Sequence, residues 1–179
     1  MLTIGLVQIT GEAYLEAEKG NLFISHYYFL SQSILFHVFY YLIVKSQKIK
    51  TLIKIVIPCT LISLAIQYYM YPELYHIFNV YEICICILPI VLYALSHLFQ
   101  TLGNPDKKYM YITSGVLLYF LPHALIFSSG NLMPNLPDNV NEIIWLVNSS
   151  LYIIFLLLIF VELYTHSRKH KTKEVEVHH

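Results

Sequence analysis

Five apolar runs constrain this chain more than anything else in it: residues 22–44, 52–70, 77–99, 109–127 and 143–164. About 20 mostly apolar residues is the length an α-helix needs to cross the hydrocarbon core of a bilayer. A helix is also one of the two structures that satisfy every backbone polar group there without water. Composition agrees, since 57% of the 179 residues are apolar and 12% are charged, whereas a soluble domain spends about a quarter of its residues on charge. The expected fold is therefore all-α, a polytopic transmembrane helix bundle with five full spans and a short N-terminal helix.

The connections between the runs carry turn or charge signals. They are Lys45 to Lys50, Tyr71-Pro72-Glu73, Gly103 to Lys108, and the longer stretch 128–141 with Gly130, Pro134 and Pro137. Most are short, so consecutive helices are expected to run antiparallel as neighbours. If the spans alternate, Lys45, Lys48, Lys50, Lys54, Lys107, Lys108, Arg168, Lys169, Lys171 and Lys173 fall on one side and Lys19 alone on the other. By the positive-inside rule that side is cytoplasmic, which puts Glu73 and Asp138 outside, in a bacterial inner membrane.

The ends read differently. Residues 1–17 begin apolar and then carry Glu12 and Glu16. They lack the basic start and small-residue cleavage site of a signal peptide, and are expected to form a short incomplete helix. The bundle is expected over 1–166, followed by a basic cytoplasmic tail over 167–179 that meets anionic headgroups and closes on what looks like a tag remnant, His178-His179.

Several function classes are excluded or demoted. The formal net charge is zero and Arg168 is the sole arginine, so neither a basic footprint nor the bidentate arginine clamps of nucleic-acid recognition are available. The mid-span lysine of a retinal Schiff base is missing. So are a glycine-rich phosphate loop, a nucleophile elbow and an HExxH pair. Cys59, Cys84 and Cys86 sit in apolar runs, where thiols act as small buried hydrophobes. They have no histidine at zinc-ligand spacing. Asn148-Ser149-Ser150 matches a glycosylation acceptor but lies within a span.

Around the first span, Asn21-Leu22-Phe23, His26, Tyr28, Leu30 and Phe39-Tyr40-Tyr41-Leu42-Ile43 form a recognisable pattern. It resembles a group of small polytopic membrane proteins of the Bacteroidota, in which an acidic residue ends one helix, a short loop follows, and His-x-Tyr enters the next. Glu12 would be that acidic residue, Gln32 stands where those proteins usually carry Glu, and they usually have one helix more before the position of Met1. The resemblance covers about the first quarter of the chain and implies a six- or seven-helix membrane architecture without an activity.

Polar groups inside spans must face a partner or water, which makes them the candidate site. On the third span Asn79, Glu82, Cys86, Pro89, Tyr93 and His97 recur at three- and four-residue steps and share one helical face. The first span offers His26, Ser33, His37 and Tyr41, and the second Thr60, Ser63 and Gln67. The fourth offers Ser114, Tyr119, Pro122 and His123, and the fifth Trp145, Asn148, Ser149 and Tyr152. Pro58, Pro89 and Pro122 are expected to kink their helices and shape cavities. Glu82 is the costly member, because a carboxylate in mid-span costs about 2.5 to 3.5 kcal/mol on insertion scales and no Lys or Arg lies at its depth. It is expected to be protonated, histidine-paired or hydrated.

The functional reading is a non-enzymatic inner-membrane protein whose polar interior binds a small ligand or conducts ions, as a homo-oligomer. Its candidate residues are Glu82, His97, His37, His26, His123, Asn79, Tyr93, Gln67 and Asn148, with Glu82 as ion or proton partner and the histidines as pH-sensitive groups. No cofactor or metal is expected. One alternative is a bis-histidine haem b electron carrier, with His26 and His123 at one level and His37 and His97 at another. A second is an accessory or effector protein acting on a protein partner in signalling or defence, and an acid/base enzyme acting on lipid ranks below both.

Overall fold

The computed structural model describes residues 22–103 and 107–177, with side chains as far as residue 167. Among these residues the fold is all-α, a bundle of helices without a strand. Its elements are α1 (Leu22–Ile43), α2 (Gln47–Met70), a 3-10 turn (Pro72–His76), α3 (Val80–Leu102), α4 (Met110–Ser128), a second 3-10 segment (Gly130–Asn135) and α5 (Asp138–Val177). The helix expected over 1–17 lies outside the described residues.

All five expected long helices are present, and their ends differ from the apolar runs for local reasons. α2 begins earlier, at Gln47, because lysines that end an apolar run need not end a helix. Lys50 and Lys54 each hold their ammonium 5.4 Å from the ring centre of Tyr41, tying the start of α2 to the end of α1. α3 begins later, at Val80, where the Asn79 side chain accepts the backbone N–H of Glu82 at 3.3 Å in the manner of an N-cap. α5 starts behind Pro137, whose carbonyl accepts the N–H of Val140 at 2.9 Å. It then continues for 40 residues, so the segment expected as a separate tail is helical through Val177.

Four helices are both long and apolar enough to cross a membrane: α2, α3, α4 and the Asp138–Ser167 part of α5. α1 has the length, with 22 residues, but its average is lowered by His26, Gln32, Ser33 and His37. All four of these are buried. A hydropathy average counts them as though they faced lipid, and the fold turns them inward.

The chain forms two compact units: one takes the residues up to Tyr93 with Ala124–Leu136, the other Ala94–His123 with the residues from Pro137 onward. Each carries exposed apolar side chains over buried polar ones, the reverse of a soluble protein. In the first, Leu42, Leu52 and Ile62 are exposed while Thr60, Asn79 and Glu82 are buried. In the second, Phe99, Leu146 and Phe160 are exposed while Thr113, His123 and Glu162 are buried. The chain is accordingly a membrane protein. Cys86 is buried as expected, but Cys59 is exposed on α2, because its helix turns that face away from the packed side.

Candidate functional site

The centre of the first unit's polar chemistry is Glu82, in the first turn of α3 and 2% exposed. His26 of α1 brings its Nδ1 to 2.5 Å from Glu82 Oε2. The Tyr68 hydroxyl of α2 donates to the same oxygen at 2.6 Å and lies 2.8 Å from the same histidine nitrogen. The Tyr68 oxygen in turn accepts from Asn79 Nδ2 at 3.2 Å. Gln67 and Asn79 pair their amides, with Asn79 Nδ2 donating to Gln67 Oε1 at 2.9 Å. Three helices thus converge on one carboxylate.

Proton accounting defines the cluster further. The hydroxyl proton of Tyr68 goes to Glu82, so His26 Nδ1 must itself be a donor to share that oxygen. His26 Nε2 lies 3.3 Å from the Tyr75 carbonyl. Both ring nitrogens therefore face acceptors, an arrangement that the imidazolium satisfies twice and either neutral tautomer once. Of the three states expected for Glu82, the structure has the histidine-paired one.

The loops hold this corner in place. Asn131 brackets the backbone of Phe78, donating to its carbonyl at 2.8 Å and accepting its N–H at 2.9 Å. The Phe78 ring packs so close to Gly130 that a Cβ there would overlap its Cδ2. Phe78 is thereby fixed one residue before the Asn79 cap. Tyr75, on the 3-10 turn, stacks on Tyr68 with ring centres 4.3 Å apart and meets His26 edge-on at 5.5 Å.

A cavity of about 360 Å³ opens against this cluster. Its polar wall is His26, Glu82 and Tyr68, its apolar wall includes Leu61, Leu64 and Ala65, and Tyr27, Tyr69 and Tyr75 complete an aromatic lining. The volume falls within the range of about 300 to 1,000 Å³ typical of small-molecule sites.

Of the nine candidate residues, four meet here: His26, Glu82, Asn79 and Gln67. His37 and Tyr93 meet elsewhere in the same unit, edge to face at 5.5 Å. His37 Nδ1 donates to the Ser33 carbonyl at 2.7 Å, and His37 Nε2 and the Tyr93 hydroxyl are buried without a hydrogen-bond partner among the described residues. The remaining three belong to the other unit. His97 Nδ1 lies 3.1 Å from the Thr113 hydroxyl, and His123 Nδ1 donates to Asn148 Oδ1 at 3.0 Å.

The polar faces read from spacing need local revision. Tyr40, not Tyr41, is buried on α1, and Thr113, not Ser114, is the buried hydroxyl of α4. Trp145 and Ser149 are exposed. Each shift of one residue is a rotation of about 100° on a helix, set by packing rather than by composition.

Sequence reasoning misses Tyr68, Tyr75 and Glu162. Tyr68 is one tyrosine among 16, marked only by standing one turn after Leu64, which is buried. Glu162 is an acidic residue within the last run, and its carboxylate accepts the backbone N–H of Tyr109 at 2.7 Å and of Tyr111 at 3.0 Å. It thereby caps the start of α4 from a different helix.

No known protein family, curated protein or solved structure matches this chain.

Proposed function

We propose that this chain is a non-enzymatic membrane protein that binds a small ligand in the cavity walled by His26, Glu82 and Tyr68. The observation that carries this reading is a carboxylate held by a histidine and a tyrosine from two other helices at the edge of a ligand-sized space. A purely structural ion pair has no need of an adjoining cavity, and a buried pair is often no more stable than apolar packing of the same volume. The charge distribution of the loops supports placing this end of the bundle at the external face of a bacterial inner membrane, with the C-terminus cytoplasmic.

Every residue of this site belongs to one chain, so binding needs no second copy; conduction through a homo-oligomer would. Both nitrogens of His26 are committed to acceptors within the protein, which disfavours it as an axial haem ligand, since that role needs a nitrogen directed at iron.

The test is to fill the space. Ala65→Trp adds an indole to the cavity lining at a residue that makes none of the cluster's hydrogen bonds. Small amphiphiles that bind the wild-type protein in lipid nanodiscs, read by saturation-transfer NMR, are expected to lose binding in this variant. Equal binding by both proteins overturns the cavity as the site.

A further inference from the structure

The first question about such a cavity is which chemistry its walls leave unused. Both side-chain donors of the polar wall are spent: the Tyr68 hydroxyl and His26 Nδ1 are directed at Glu82 Oε2. His26 Nε2 is turned to the Tyr75 carbonyl at 3.3 Å. An anionic ligand at that wall would have to displace these bonds, and the side-chain donors left in the lining are the hydroxyls of Tyr27, Tyr69 and Tyr75.

The acceptors are in surplus. A carboxylate offers about four lone-pair positions over its two oxygens. Among the described residues every side-chain hydrogen bond to Glu82 falls on Oε2, which leaves Oε1 for a ligand. Tyr27, Tyr68, Tyr69 and Tyr75 line the same cavity, and tyrosine rings attract cations through their quadrupole. Leu61, Leu64 and Ala65 supply an apolar wall for a hydrocarbon part. Acceptor, ring faces and apolar wall together match one kind of molecule.

We propose that the cavity selects an amphiphilic organic amine, its ammonium donating to Glu82 Oε1 among the tyrosine rings and its hydrocarbon part lying along Leu61, Leu64 and Ala65. This rests on the cavity being a binding site and adds the class of ligand. His26 has a defined part in it. By holding Oε2 with Tyr68, it fixes the carboxylate in one orientation, so that the amine meets an ordered acceptor.

Three probes of nearly the same shape separate the terms: phenethylamine (cation), 2-phenylethanol (neutral) and phenylacetate (anion), titrated against the protein in nanodiscs of zwitterionic lipid. Phenethylamine is expected to bind the wild type most tightly and phenylacetate least. Glu82→Gln is expected to weaken phenethylamine on the order of tenfold while leaving 2-phenylethanol within about twofold. Tyr75→Leu removes an aromatic face and leaves the ion pair's own side chains in place; it is expected to weaken the amine more than the alcohol, and it decides the matter if Glu82→Gln fails to fold.

Equal affinity for the amine and the alcohol, unaltered by Glu82→Gln or Tyr75→Leu but lost in Ala65→Trp, overturns the amine and leaves the cavity standing. Preference for phenylacetate does the same. Failure of all three probes to bind the wild type overturns both readings.

Discussion

Glu82 is two residues from the start of its helix and donors from two other helices meet on it, so its burial is tolerated rather than merely endured. Removing one partner of a buried ion pair strands the other and costs about 3 to 5 kcal/mol. His26→Ala is expected to lower stability by that order in a reversible unfolding assay in mixed micelles. Tyr68→Phe, which deletes one hydroxyl and keeps the ring stack on Tyr75, should cost about 0.6 to 1.7 kcal/mol, the span measured for single hydrogen bonds between membrane helices. A double variant, His26→Ala with Glu82→Gln, is expected to recover part of the loss, since the uncompensated charge is gone. If all three are equally damaging, the cluster is not organised around Glu82. At Gly130 the constraint is steric: a Cβ there would overlap the Phe78 ring, so Gly130→Ala must displace the residue that precedes the Asn79 cap. A loss of about 1 to 3 kcal/mol is expected, accompanied by weaker ligand binding, which the same assays read.

Among the elements, α4 depends on a residue far away in sequence. The first amides of a helix have no partner within it, and here Glu162 of α5 accepts two N–H groups, from Tyr109 and Tyr111. Tyr109 has φ +62°, a conformation that a bulky residue adopts at a cost of about 1 to 3 kcal/mol. Capping by a carboxylate offsets that cost. Glu162→Ala is expected to expose the amides of residues 109–111 to faster hydrogen exchange while leaving the middle of α4 protected, and uniform exchange along α4 would contradict the capping role. The same helix pair meets at Gly115, where a Cβ would lie 2.9 Å from Phe155 Cδ2 and 3.2 Å from Leu158 Cδ1. Small residues permit such close approach between membrane helices. Gly115→Leu should therefore separate α4 from α5 and lower the unfolding midpoint, and Gly115→Ala, whose Cβ meets the buried Phe155 ring stacked on Tyr119, should lower it by less.

For the molecule as a whole, the exposed apolar surface calls for a bilayer, and the orientation proposed above from the lysine distribution can be tested. In spheroplasts, a cysteine introduced by Glu73→Cys in a background without the native thiols is expected to react with an impermeant maleimide. Lys108→Cys is expected to react only after permeabilisation, and the reverse pattern would invert the topology and move the cavity to the cytoplasmic side.

Sequence alone determines the membrane-spanning helical architecture, because the bilayer sets a length and an apolarity that single runs either meet or fail. It also marks most of the costly groups: Glu82 and the histidines are conspicuous in apolar surroundings, and the shared face of Asn79, Glu82, Cys86, Tyr93 and His97 on α3 follows from helical spacing and is buried. It cannot show which of those groups meet. His26 and Glu82 are 56 residues apart, and their pairing depends on how three helices are rotated against one another, to within the 100° or so that separates adjacent residues. Tyr68 escapes notice for the same reason, since a tyrosine in a membrane helix is ordinary until its hydroxyl is aimed at a carboxylate. Helix rotation and close packing, decided only in three dimensions, bring His26, Tyr68 and Glu82 together at one cavity while the other polar residues pair elsewhere.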